Sequence, residues 1–180
     1  EKGLIDDMEL IWCDPWNNDL ALLALHPMGR IPVLLTDSGH AIAESQLIVQ
    51  YLDQTGTGGA LVPPAQCAAV LAATSVAYGL MEAAFHLVIA RKYEGAAQAD
   101  TSVMGQRRLA AITRALTQLE TAPPAPCGGT ASLDQLTTAV AVDYVRFRLP
   151  PCVSTQHYPQ LNAWLDQALE RESLRSTAFA

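Results

Sequence analysis

The sequence predicts an α/β first segment followed by an all-α bundle, and three observations carry that prediction. Short apolar runs separated by turn residues fill residues 1 to 55, long runs with helical spacing fill residues 66 to 180, and a Gly- and Pro-rich stretch divides them. At 180 residues the chain has room for one large domain or two small ones. A chain of this size buries roughly 70% of the surface its unfolded form exposes. With 50% hydrophobic and 16% charged residues it is not an intrinsically disordered protein. The 11 basic and 18 acidic residues give a net charge of −7, which argues against a general binder of nucleic acid or anionic membranes.

That charge is unevenly placed. Residues 1 to 55 hold nine acids (Glu1, Asp6, Asp7, Glu9, Asp14, Asp19, Asp37, Glu44, Asp53) and two bases (Lys2, Arg30), whereas residues 56 to 180 hold nine of each sign. The compositional break falls at Gly56-Thr57-Gly58-Gly59 and Pro63-Pro64, residue types that mark a linker. The reading is a domain over residues 1–55, a linker over 56–65 and a second domain over 66–180.

Within the first domain, Met8-Glu9-Leu10-Ile11-Trp12-Cys13 is an apolar run closed by Asp14-Pro15 and reads as a strand. A short helix follows over residues 19 to 25, with Asn18 or Asp19 as cap. Ile31-Pro32-Val33-Leu34-Leu35-Thr36 and Ala41-Ile42-Ala43 flank Asp37-Ser38-Gly39-His40, the pattern of a hairpin. Pro32, at the first position of its strand, takes no donor from the ladder. Ser45 opens a helix as a candidate N-cap, with Leu47, Ile48, Tyr51 and Leu52 recurring on one face.

The second domain reads as helices throughout. Residues 66 to 93 form a long Ala-rich stretch whose polar interruptions (Gln66, Thr74, Ser75, Glu82, His86) exclude a membrane span in this reading. A helix over residues 102 to 119 points Leu109, Ile112, Leu116 and Leu119 inward. Pro123, Pro124, Pro126, Gly128 and Gly129 make a loop. Ser132 then starts a helix with Gln135 completing a capping box, and Leu136, Val140, Tyr144 and Phe147 are its expected inner face. A last helix begins at Pro159 and turns Leu161, Trp164, Leu165 and Ala168 inward. Together these make a bundle.

The run His26-Pro27-Met28-Gly29-Arg30-Ile31-Pro32-Val33-Leu34, followed by Ala43-Glu44-Ser45 and residues 48 to 53, resembles the first domain of the cytosolic glutathione transferases, in particular those of bacterial type. The family pattern is Asn-Pro-x-Gly-Lys/Arg/Gln-Val/Ile-Pro, a hairpin, then an acid-Ser pair opening a helix. His26 departs from it, standing where the family usually has Asn. Residues 129 to 136 resemble the cap of the family's sixth helix, with Gln135 in place of the usual Asp. The resemblance implies a thioredoxin-like N-terminal domain followed by the helical bundle. It also implies a first strand and most of a first helix, roughly twenty residues, ahead of Glu1: a sheet without its central strand leaves backbone groups unpaired at about 1–3 kcal/mol each, so either the sequence is incomplete or the protein is a relic that relies on some other cover.

Glutathione carries an ammonium and a carboxylate at its γ-glutamyl head and a second carboxylate at its glycine end. Glu44-Ser45 offers an acid beside a hydroxyl at a helix start, where amides and dipole favour a carboxylate. By residue type alone the pair reads equally as a solvated acid and an N-cap. The resemblance gives it the γ-glutamyl head, with Ser45 filling both roles. Arg30 is the only base between Lys2 and Arg91; it either offsets its acidic surroundings or, by resemblance, reaches the glycine carboxylate. The resemblance further implies a cis Ile31-Pro32 bond, which spacing alone does not predict because only about 5–6% of X-Pro bonds in folded proteins are cis. Pro32 sets that geometry, and the Ile31 main chain pairs with the cysteinyl part of the tripeptide like an added strand.

The activity implied is glutathione transfer. A donor beside the sulfur stabilises the thiolate of glutathione, whose unperturbed pKa is about 8.5, for attack on an electrophilic carbon or a disulfide. In the family this donor is a Ser, Tyr or Cys in the segment before residue 1, so the catalytic residue is not assigned. The alternative from another class is a transferase-like binding protein without turnover. Glutathione is the co-substrate, no metal is expected, and the family implies a homodimer. Tyr78, Met81 and Phe85 are candidates for an apolar second-substrate pocket, with core or subunit contact as the competing role. His26, His40, His86 and His157 are dispersed. Cys13, Cys67, Cys127 and Cys152 show no metal spacing and read as reduced thiols of a cytoplasmic protein, Cys13 as a packed one.

Overall fold

Asp19 opens the first regular helix because its carboxylate accepts the backbone N–H groups of Ala21 and Leu22 at 2.8 and 3.1 Å, satisfying donors that a helix start leaves free. This helix, α1 (Leu20–Leu25), buries Leu22 and ends at His26. The computed structural model describes residues 1–179, which divide between Ala60 and Leu61 into two units.

In the first unit, β1 (Val33–Leu35) pairs antiparallel with β2 (Ala41–Ala43), with Val33 opposite Ala43 and Leu35 opposite Ala41. The turn between them is closed by the Thr36 N–H donating to His40 O at 2.9 Å. Gly39 supplies the left-handed conformation there, at φ 82°. Helix α2 (Ser45–Thr55) follows with no loop. Ile48, Tyr51 and Leu52 are half-buried along its expected inner row, but Leu47 is exposed.

The expected strand at residues 8–13 does not form. The segment runs without regular structure between 3-10 turns at Ile5–Asp7 and Pro15–Asn17. The backbone of residues 9 to 13 makes no hydrogen bond among the described residues, and Leu10, Ile11 and Trp12 are 70, 80 and 91% exposed. Apolar and β-branched residues favour a strand by fitting a pleated neighbour, and no described strand lies beside this one. Cys13 is therefore a half-exposed residue of an irregular segment rather than a packed strand residue.

Lys2 fastens this segment to the far end of the unit. Its ammonium is 2.9 Å from Asp53 Oδ1 and donates to Gly59 O at 3.0 Å, with the side chain only 8% exposed. The Lys2 carbonyl accepts from Thr57 N–H at 2.9 Å. A Cβ at Gly56 would lie 2.6 Å from Lys2 Cβ, so the glycine is required by this close approach. Part of the expected linker is thus built into the first unit.

The second unit is helical: α3 (Cys67–Glu94), α4 (Ala96–Thr101), α5 (Val103–Thr121), α6 (Leu133–Arg148), α7 (Pro159–Ala168) and α8 (Glu172–Arg175). By length and composition the stretch Pro64–Glu94 is apolar enough to cross a membrane despite its polar interruptions. Its row Ala77, Leu80, Ala84 and Leu87 is nonetheless buried in the core of this unit, with Ile112 and Leu116 of α5 and Val142 and Val145 of α6. Ile112, Leu116 and Leu119 occupy the predicted inner row of α5, as Leu161, Trp164, Leu165 and Ala168 do in α7.

Helix α6 turns differently from expectation. Thr138, Ala139, Ala141, Val142 and Val145 are its fully buried residues, while Val140 and Phe147 are exposed. The helix is central, so small residues that allow close approach line most of its circumference, and the largest side chains lie where space remains. Phe147 stacks on Phe179, the ring centroids 5.6 Å apart. The capping box forms, with the Ser132 N–H donating to Gln135 Oε1 at 2.9 Å. Short α4 had no signal of its own. It is held by the Arg91 guanidinium, which binds both carboxylate oxygens of Asp100 at 2.7 and 2.9 Å.

The N-terminus of α7 is capped from a distance. Both carboxylate oxygens of Glu120, at the end of α5, accept backbone N–H groups, those of Gln160 and Leu161 at 3.0 and 2.8 Å. Two outcomes are expected. In equilibrium urea unfolding followed by tryptophan fluorescence, Glu120→Ala loses about 1–3 kcal/mol of stability in the second unit, reported by Trp164. Lys2→Met loses about 2–4 kcal/mol in the first unit, reported by hydrogen-exchange protection of the α2 amides, because the Lys2–Asp53 pair is broken.

Candidate functional site

Glu44 is the only residue between β2 and α2, and the chain reverses there at φ 71°, ψ 119°. An L-residue other than Gly, Asn or Asp seldom takes a positive φ. The conformation is imposed from both sides, by the ladder that ends at Ala43 and by the helix that starts at Ser45. Its carbonyl accepts from both Leu47 and Ile48 N–H groups at 3.0 Å.

The hairpin register brings the other predicted residues to the same place. With Val33 opposite Ala43, the next step outward sets Pro32 beside Glu44. Ile31-Pro32 is a cis peptide bond. Ile31 is exposed, and neither its N–H nor its C=O has a partner among the described residues. Arg30, one residue further, reaches back to Glu44, with Nη1 3.1 Å from Oε1. Arg30, Ile31, Pro32, Glu44 and Ser45 thus gather at one end of the hairpin.

Ser45 differs from expectation in one respect. Glu44 is the N-cap and Ser45 the first helical residue, and no side chain caps α2. A hydroxyl at the first helical position has already passed the point from which an N-cap reaches the next amides. The Ser45 hydroxyl and the Ser45 and Gln46 N–H groups have no partner among the described residues. This is an exposed group of donors at the positive end of an 11-residue helix, with a cation and an anion beside it. Such an arrangement can hold a carboxylate on the amides and hydroxyl and an ammonium on the acid.

The remaining candidates are scattered. Among the described residues no group of three His, Cys, Asp or Glu side chains could hold a metal ion. His40 Nδ1 is 3.1 Å from Ser38 Oγ in the hairpin turn, and His157 Nδ1 is 2.8 Å from Ser154 Oγ. His26 follows α1, its Nδ1 buried without a partner among the described residues. Met81 packs against the core of the second unit, Tyr78 is half-buried with its phenol pKa raised by burial, and Phe85 is exposed with an edge-on contact to His86. Burial also raises the Cys152 thiol, a shift the nearby Arg91 guanidinium opposes. That leaves Cys152 a poor nucleophile at neutral pH.

Residues 1–55 match the family described as glutathione S-transferase, N-terminal domain. Across 98% of its length the chain is 29% identical to the uncharacterized GST-like protein YibF of Escherichia coli (strain K12), covering 88% of that protein. It superimposes on a glutathione transferase family member from Pseudomonas fluorescens Pf-5 with bound glutathione, at a TM-score of 0.83 and 26% identity, covering 99% of this chain and 89% of that one. The form of that protein with bound S-(propanoic acid)-glutathione gives a TM-score of 0.81 and 27% identity over the same shares of the two chains. A glutathione S-transferase from Methylobacillus flagellatus KT with glutathione bound gives 0.76 at 25% identity, over 88% of this chain and 80% of that one. The fold class is therefore a thioredoxin-like α/β domain followed by an all-helical one. Residues 1–55 carry the glutathione S-transferase N-terminal domain pattern, and the whole chain is similar to proteins of that kind.

The backbone at Glu44 makes a specific prediction. Glycine usually destabilises relative to alanine, but at a positive φ the order reverses. Glu44→Gly is expected to be about 1 kcal/mol more stable than Glu44→Ala in urea unfolding, both lacking the carboxylate.

Proposed function

We propose that this protein binds glutathione at the Arg30–Ser45 end of the hairpin and transfers it to an electrophilic or disulfide substrate. The observation that carries the reading is the free Ser45 hydroxyl, with the two unpaired first-turn amides, next to Glu44. In this reading the γ-glutamyl carboxylate sits on those donors and the ammonium on Glu44. The main chain of Ile31, with an unpaired donor and acceptor, pairs with the cysteinyl part, positioned by Pro32, and Arg30 serves the glycine carboxylate. Glutathione bound in family structures from Pseudomonas fluorescens and Methylobacillus flagellatus supports this ligand.

Bound this way, glutathione is fixed at both ends and its thiol is free to react. The thiol loses its proton to solvent, the sulfur forms a bond to the electrophilic carbon, and the leaving group departs with the bonding pair. With a disulfide, the sulfur bonds to one sulfur and displaces the other as thiolate. Orientation and a tethered nucleophile are this chain's contribution. Residues 1–55 form the glutathione-binding domain and 66–180 the helical one, in a cytoplasmic homodimer. Exposed Leu71 and Phe85 on α3 support that apposition of copies.

Titration calorimetry with glutathione tests the site, and turnover of a generic aryl halide tests transfer. Ser45→Ala is expected to weaken glutathione about ten- to hundredfold, the worth of a hydrogen bond to a charged group. Its stability should stay within about 0.5 kcal/mol of the parent, because the hydroxyl has no protein partner. A variant that binds normally but unfolds more easily would make Ser45 structural. Binding without turnover across electrophiles would favour a non-catalytic binding protein.

A further inference from the structure

Residues 9 to 13 keep every backbone N–H and C=O free among the described residues, although the segment is held at both ends. On one side the Met8 N–H closes the Ile5–Asp7 turn. On the other the Asp14 carboxylate accepts the Trp16 N–H at 2.9 Å and the Asn17 side-chain amide at 2.7 Å. Met8 and Asp14 are themselves extended, at φ −114°, ψ 134° and φ −102°, ψ 106°, and no turn or bend lies between them. Successive side chains of an extended chain point to opposite faces. Leu10 and Trp12 therefore belong to one face and Ile11 to the other, and all three are among the exposed apolar residues. A run that is apolar on both faces has the pattern of an inner strand, paired at its edges.

Charge decides what fits beside it. The carboxylates of Asp6, Asp7 and Glu9 have no partner among the described residues, and Asp14 adds a fourth acid beyond the apolar run. Both bases of residues 1–55 are engaged elsewhere, Lys2 on Asp53 and Arg30 on Glu44. A second copy of this segment would set the same acids against these, and like charges opposed across a strand pair destabilise it. We propose that residues 9–13 are an acceptor for strand addition, and that the occupant is an extended segment of another protein, apolar at its centre with Lys or Arg at its ends. Main-chain hydrogen bonds hold the added strand, Leu10, Ile11 and Trp12 pack against its alternate side chains, and the acids fix its ends. Because the acceptor is anchored at both ends and extended there, pairing orders little that was free. This inference does not rest on the glutathione reading.

Hydrogen exchange of the full chain with the synthetic peptide acetyl-Lys-Lys-Val-Ile-Val-Thr-Lys-amide tests it. Alone, the amides of residues 9–13 are expected to exchange near the rate of an unstructured chain, and saturating peptide slows them about tenfold or more. A peptide with Glu in place of each Lys should bind about tenfold more weakly at low ionic strength, a difference that shrinks at high salt. N-methylating the central amides of the Lys peptide removes its donors and should abolish both binding and protection. The triple variant Asp6→Asn, Asp7→Asn, Glu9→Gln, altered only at exposed carboxylates, should lose the preference between the two peptides. Equal binding of both peptides to the parent overturns the basic partner, and binding that leaves residues 9–13 unprotected overturns strand addition. Protection already present without peptide overturns the proposal as well. If it depends on protein concentration, the edge belongs to a second copy, and if it does not, to the same chain.

Discussion

Everything at the candidate site depends on the single-residue passage from β2 to α2. Because only Glu44 lies between the ladder and the helix, its backbone is held at a φ that a side-chain-bearing residue seldom accepts. A longer connection would relax that strain and let the helix start elsewhere. The abrupt junction instead fixes the first amides of α2 one register step from the Ile31-Pro32 bond. It also leaves Ser45 inside the helix rather than at its cap, with the hydroxyl unspent. Strain of this kind persists only where the surroundings over-determine it, and here a three-residue ladder and an 11-residue helix do so.

The two units solve different problems. The first carries the net charge of the chain and little buried surface: α2 buries no residue completely, and the residues 9–13 segment leaves its apolar side chains in solvent. Its coherence comes from specific polar fastenings, above all the ammonium of Lys2 between Asp53 and Gly59. The second unit is charge-neutral and close-packed, built on an Ala-rich α3 and a small-residue α6 that allow their axes to approach. Its polar groups serve as ties between elements, as Glu120 does for α7 and Arg91 for α4.

Charge at the site is local rather than diffuse. An acidic first segment repels anions at long range, yet salt limits such fields to about 8–10 Å. Under the proposed function, recognition of a peptide carboxylate therefore falls to groups in contact with it: free amides, a hydroxyl and one guanidinium. Arg30 is suited to this task because its planar donors fit a carboxylate and keep their charge at every relevant pH. That guanidinium lies 3.1 Å from the Glu44 carboxylate, so the two opposite charges stand together at this end of the hairpin.

The sequence by itself determined the longer helices, the hairpin and the residues proposed for the site. Helical spacing is a local property, legible in Ile112, Leu116 and Leu119 or in Leu161, Trp164 and Leu165, and the turn chemistry of Gly39 and the Ser132–Gln135 box acts within a few residues. The Arg30-Ile31-Pro32 and Glu44-Ser45 motifs were equally readable, as ordered residue types. Tertiary structure decided the rest, because each remaining feature depends on a neighbour distant in sequence. Whether residues 8–13 become a strand depends on a pairing partner, and which side of α6 is buried depends on how many helices surround it. Glu120 caps a helix 40 residues away. Arg30 selects Glu44 from nine acids because the fold, and no local spacing, brings those two side chains within 3.1 Å.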